Sequence, residues 1–191
     1  MHRISIARRD VVSDYRDDAV EVELARRDPR AFGDLYRRYV VRVYRYLFNH
    51  VGDSAVAEDL TSQVFVSAWQ GLSRYREQGS FAAWLFGIAR HKVSDHFRQR
   101  RNHLSIDQIG DSLWESTDFL GHIEGEQDLE RLARLVARLK PEQRELLRLR
   151  FAADMSYQQI GGLLGKSEAA VKMSAHRIIR QLQADWEQDD D

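Results

Sequence analysis

Apolar residues recur at three- and four-residue steps along most of this chain. Phe32, Leu35, Tyr36, Tyr39, Val43, Tyr46 and Leu47 trace one stripe, the spacing of an amphipathic helix. Asp28-Pro29 supplies its cap and first helical position, and His50-Val51-Gly52-Asp53 marks its end. Ser54, with Glu58 four residues on, opens a second helix carrying Leu60, Val64, Phe65, Ala68, Trp69 and Leu72. A polar turn, Arg76-Glu77-Gln78-Gly79-Ser80, leads into a third with Phe81, Trp84, Leu85 and Ile88. Further on, Leu129, Leu132, Leu135, Val136 and Leu139 form a stripe that stops at Lys140-Pro141. Pro141 starts a helix whose Leu146, Leu147, Leu149 and Phe151 are set for a core. Ser156 caps a short helix with Tyr157, Ile160, Leu163 and Leu164; Gly165 breaks it, Ser167 caps the next, and Val171, Ala175, Ile178 and Leu182 follow. There is no run of alternating polar and apolar residues, and the chain has only two prolines. The pattern predicts an all-α protein of two small helical domains.

Charge divides the chain further. The net charge is −1, from 29 basic and 30 acidic residues, but the signs are segregated. Residues 104–128 hold Asp107, Asp111, Glu115, Asp118, Glu124, Glu126 and Asp128 and no Lys or Arg, whereas both flanking blocks are basic. This predicts an N-terminal extension over 1–27, partly disordered, a helical domain over 28–103, an acidic linker over 104–128, a second domain over 129–186 and a loose tail over 187–191. Ile106, Ile109, Leu113, Trp114 and Phe119 interrupt the linker, which reads either as a docking segment or as a solvated spacer. No apolar run reaches the roughly 20 residues of a membrane span, and the charged N-terminus lacks the core of a signal peptide. The absence of cysteine fits a reducing, cytoplasmic setting.

The two short helices around Gly165 make a helix-turn-helix. With Val171, Ala175 and Ile178 inward, its second helix offers Lys172, Ser174, His176, Arg177 and Arg180 outward, residue types that contact phosphates and base edges in the major groove. The bland alternative is a helical hairpin with a solvated basic face. Upstream, Arg90, His91, Lys92, Arg98, Arg100 and Arg101 lie among aromatic residues, a composition suited to single-stranded nucleic acid; Phe81 and Trp84 at a three-residue step are expected to be at least partly buried. His91 and His96 are five residues apart rather than the four that one helix face prefers for a metal. No phosphate loop, nucleophile elbow or acid–base carboxylate pair is present in the sequence, so neither an enzyme nor a cofactor is expected.

The segment from Asp28 to Arg101 resembles region 2 of bacterial RNA polymerase sigma factors of the extracytoplasmic-function (ECF) type, and Leu132–Leu182 is similar to their region 4. The resemblance implies a promoter-specificity subunit that binds core polymerase and recognises −10 and −35 elements. Asp59, Gln63, Phe65 and Trp69 would then face the clamp helices of the polymerase β′ subunit, and region 4 would meet the β flap. Arg76, Gln78, Gly79 and Ser80 fall in the loop that captures a flipped base of the non-template strand. Arg90, His91, Lys92, Arg98 and Arg101 fall on the −10 helix, where His91 stands at a position commonly Asn. Ser167, Lys172, Ser174, His176, Arg177 and Arg180 fall on the −35 reader, with departures from the family pattern at Ala170 and Ile179. An anti-sigma protein is an expected partner, and the linker would thread the polymerase's positively charged channel. The competing expectation is a stand-alone helix-turn-helix transcriptional regulator.

Overall fold

The computed structural model describes residues 15–76, 79–103 and 126–188. Gln78 and residues 104–125 of the linker therefore lie outside the described residues. The described residues fall into two compact units, each helical.

The N-terminal unit contains α1 (Tyr15–Arg27), α2 (Phe32–Val51), α3 (Ser54–Gly71) and α4 (Phe81–His103). Asp28 caps a 3-10 turn, Pro29–Ala31, by accepting from Arg30 N, and the turn runs into α2. Gly52, at φ 67, ends α2 in the left-handed region that glycine adopts without steric cost. Asp53 rather than Ser54 caps α3, its carboxylate accepting from Val56 N at 3.0 Å. The α2 stripe packs against α3 and α4. It buries Leu35, Tyr39, Val43, Tyr46 and Leu47 against Leu60 and Val64 of α3 and Phe81, Leu85 and Phe86 of α4. Tyr46 meets Phe86 edge-on at 5.4 Å, and Tyr39 meets Phe81 at 5.5 Å. Each such side chain contributes about 1.5–3 kcal/mol by leaving water.

Helix α1 is an element that the apolar spacing does not announce. Its Val20 and Leu24 are exposed, and of its apolar side chains from residue 18 onward Val22 and Ala25 face inward. Polar groups fasten it instead. Asp18, 4% exposed, accepts from Arg38 Nη1 at 3.0 Å and from the Tyr39 hydroxyl at 2.6 Å, while Glu21 pairs with the other arm of Arg38.

The C-terminal unit contains α5 (Glu126–Ala137), α6 (Pro141–Leu147), α7 (Tyr157–Leu164) and α8 (Glu168–Gln188). Helix α5 opens at Glu126, so the last three positions of the acidic block lie inside a helix. The stretch after Pro141 is not one uniform helix: a π-helical turn, Arg148–Ala152, follows α6. The wider turn rotates the register, so Leu149 and Ala152 are buried and Phe151, expected in the core, is half-buried. Arg131 of α5 lies 4.2 Å from the centroid of the Trp186 ring and donates to the Trp186 carbonyl, fastening α5 to the far end of α8. Among the described residues no helix is long and apolar enough to cross a membrane.

Candidate nucleic-acid and polymerase interface

Helix α3 leaves Asp59, Ser62, Gln63, Val66, Trp69 and Gln70 exposed, one strip at helical spacing. Gln63 Nε2 donates to Asp59 at 2.8 Å, fixing the polar half of the strip. Phe65 differs from expectation. It is only 5% exposed, because its place on the helix turns it toward α2, where Tyr36 meets it edge-on at 4.7 Å and Phe32 at 6.4 Å. Phe65 therefore supports the strip from beneath and offers little surface to a partner. Trp69, 40% exposed, rests edge-on against Phe32 at 5.1 Å. Two further side chains are open to solvent nearby: Val66 at 54%, and Tyr36 at 43% although it belongs to the apolar stripe of α2. The sequence signal for Val66 is the apolar run Val64–Val66, too wide for one buried stripe.

The turn ahead of α4 stands on an aromatic base. Tyr75, 7% exposed, lies edge-on to Phe81 at 5.9 Å and tilted over Trp84 at 4.9 Å. Its hydroxyl donates to the Gly79 carbonyl at 3.1 Å. Gly79 adopts φ 147, where an L side chain is strained. Ser80 Oγ accepts from Ala83 N at 3.1 Å, so this residue caps α4 as well as lining the turn. Arg76 is exposed. Phe81 is 2% exposed and Trp84 half-buried, so both belong mainly to the packing.

Along α4, Arg90, His91 and Arg98 are exposed and Lys92 is half-buried; the Arg101 side chain lies outside the described residues. Asp95 divides this basic face: it holds Arg98 at 2.8 Å and stands 3.7 Å from His91 Nδ1. His91 is a surface residue, whereas His96 has its Nε2 atom buried, so the two imidazoles do not share a face. Burial, and then the Arg100 charge, hold His96 below the usual imidazolium range, with Asp59 pulling the other way.

In the second unit Ser156 and Gln159 cap α7 reciprocally, at 3.1 Å and 2.9 Å. Gly165, at φ 66, ends α7, and Ser167 Oγ accepts from Ala170 N at 3.2 Å to start α8. A methyl at Gly161 would lie 2.6 Å from the Lys166 carbonyl, so the chain passes here closer than any side chain permits. Val171, Ala175, Ile178 and Leu182 are buried. Lys172, His176, Arg177 and Arg180 are exposed and Ser174 half-buried, which leaves one basic face as expected of a groove-reading helix. Met173, 63% exposed, stands in that face and was not anticipated.

The Sigma-70 region 2 family matches residues 35–103, and the Sigma-70 region 4 family matches residues 129–182. The ECF RNA polymerase sigma factor BldN of Streptomyces coelicolor is 36% identical over 87% of this chain. The chain belongs to the ECF-type sigma factors. It spans 66% of the length of BldN. The RNA polymerase sigma factor YlaC of Bacillus subtilis is 30% identical over 78% of the chain and 88% of its own length. Among solved structures, CnrH in complex with the cytosolic domain of CnrY is 25% identical, with a TM-score of 0.61 over 90% of this chain and 98% of that one. The region 2 match of this sigma factor begins inside α2, so α1 precedes it. The turn at Gly79 and the α3 strip lie within region 2, and α8 carries the end of region 4.

Proposed function

We propose that this sigma factor joins core RNA polymerase through the α3 strip, opens the −10 element with the Arg76–Ser80 turn and the basic face of α4, and reads the −35 element as duplex with α8. The observation that carries this reading is the pairing of two unlike basic surfaces in one chain. One is a turn with a glycine-only backbone, backed by Tyr75, Phe81 and Trp84; the other is a capped helix-turn-helix with Lys172, His176, Arg177 and Arg180 exposed. Strand separation costs unpairing and unstacking energy, which is recovered by holding extruded bases and positive charge along the freed strand. Register on intact DNA needs a separate groove reader.

Asp59, Gln63, Trp69 and, newly, Val66 and Tyr36 are the surface offered to the β′ clamp helices, with Phe65 as their support. Region 4 meets the β flap. The chain makes and breaks no covalent bonds itself and works in the cytoplasm, where its polymerase is. CnrH was solved with a second protein bound; an anti-sigma protein plays the corresponding part here, covering the DNA- and polymerase-facing surfaces until it is released.

Run-off transcription with core polymerase tests the reading. Core plus this chain should transcribe from promoters that core alone ignores, with thymines at −10 reactive to permanganate. A chain that binds duplex promoter tightly without core, and does not associate with it, is a stand-alone regulator instead.

A further inference from the structure

Arg26, in the last turn of α1, reaches across to the segment that leads into the promoter-reading turn. Its Nη2 donates to the Tyr75 carbonyl and its Nε to the Leu72 carbonyl at 3.4 Å. Its guanidinium carbon is 5.7 Å from the centroid of the Tyr75 ring. The receiving carbonyls bracket the 3-10 turn Leu72–Arg74: that of Leu72, its first residue, also accepts from Tyr75 N at 3.2 Å, and Tyr75, just after it, is extended at φ −60 and ψ 126. The Tyr75 carbonyl lies beyond the turn's own hydrogen bond, so a guanidinium fork that reaches both carbonyls ties the two ends of the turn together and fixes the exit direction of the chain. From Tyr75 the constraint passes on, because the same residue donates its hydroxyl to the Gly79 carbonyl at 3.1 Å. Arg27, its neighbour, bonds Glu23 in an exposed pair on α1, a carboxylate that Arg26 Nη1 also meets at 3.4 Å, and among the described residues reaches no further. Two adjacent arginines thus have different tasks.

We propose that Arg26 is a positioning residue for promoter opening. Helix α1, outside the region 2 match, sets through Arg26 and Tyr75 where Gly79 and Ser80 present themselves to the displaced strand. The proposal rests on the reading of that turn as the surface that holds separated DNA. Lysine cannot replace the arginine fully, since an ammonium lacks the planar fork that spans two carbonyls.

The test uses holoenzyme assembled from core polymerase and the full chain, and a single-stranded oligonucleotide covering the non-template −10 element of a promoter that the wild-type holoenzyme transcribes. Affinity for the oligonucleotide, affinity for core and thermal melting of the free chain are measured for R26Q, R26K, Y75F, R76A and, as a control on the same helix, R27Q. R26Q should weaken oligonucleotide binding about tenfold, with core affinity and melting no more altered than in R27Q. R26K should fall between R26Q and wild type. Y75F, which removes the hydroxyl that bonds Gly79, should weaken binding in the same direction and add little to R26Q in the double variant. Oligonucleotide affinity in R26Q equal to that in R27Q overturns the proposal, and so does a loss that merely follows a loss of core affinity. Should R26Q fail to fold, R26K and Y75F decide on the same readout. R76A separates the two levels: if it too binds the oligonucleotide as wild type, the reading of the turn is lost and the role of Arg26 with it; if R76A weakens binding while R26Q and Y75F do not, only the role of Arg26 is lost.

Discussion

His96 lies on α4 with its Nε2 atom buried and without a hydrogen-bond partner among the described residues. Its imidazolium is held below the ordinary value of 6.5, first by burial and then by the Arg100 charge. The unfolded chain therefore binds a proton here, just below that value, which the folded chain does not. Folding stability contributed at this site falls as pH drops through that window. Melting temperatures at pH 7.5 and 5.5 should differ more for wild type than for His96→Gln; equal differences would remove His96 from the account. A second side chain, Met173, makes a prediction about sequence choice. An exposed thioether among Lys172, His176 and Arg177 suits the methyl group of thymine, the one apolar mark in the major groove. Met173→Ala should cost about 1 kcal/mol of preference for thymine at one −35 position, read from binding of holoenzyme to a randomised −35 library. An unchanged profile at every position would exclude that contact. Phe65 shows where residue-level reading from sequence stops. Its neighbours Asp59 and Gln63 are on the surface, but a helix turns by its own period, and only the position of α2 reveals that Phe65 faces Tyr36 and Phe32.

At the scale of elements, the capped and apolar-striped helices were legible because local signals and packing agree. Asp28-Pro29, Ser156, Gly165 and Ser167 stand where caps and stops are found. Helix α1 was not legible, because burial there is achieved by a carboxylate rather than by a stripe. Asp18 is buried with Arg38 and Tyr39 against it, and those partners are about twenty residues away in the chain. Removing the Arg38 guanidinium takes its charge from two carboxylates, Asp18 and Glu21. Arg38→Leu should therefore lower stability by about 3 kcal/mol, measured by urea unfolding, while Arg37→Leu, whose partner Asp34 is exposed, should change it by less than about 1 kcal/mol. A similar loss in both would mean that α1 is not held by this pair. The π-helical turn was hidden for a related reason. Arg148–Ala152 has the composition of an ordinary helix, and the insertion shows only in the register that buries Leu149 and half-exposes Phe151.

Across the whole molecule, the two helical units were foreseen from the break in periodicity at the acidic block. The join is less sharp than composition suggests, since Glu126–Asp128 begin a helix. The acids carry a charge opposite to that of the two proposed DNA-facing surfaces on either side, and on the proposed function they would oppose DNA rather than attract it. Replacing Asp107, Asp111, Glu115, Asp118, Glu124, Glu126 and Asp128 with Asn or Ser should change the ratio of abortive to run-off transcript made by the holoenzyme. An unaltered ratio would make the segment a tether of indifferent charge.

The clasp between Arg131 and Trp186 has a bearing on how the protein ages. A protease that nicked the chain just ahead of Trp186 would spare Lys172, His176, Arg177 and Arg180, yet strip away the ring and carbonyl on which α5 is moored. The clipped product would be barely lighter on a gel and still poor at holding duplex. If α8 is the −35 reader proposed above, promoter choice would fail before most of the polypeptide was lost.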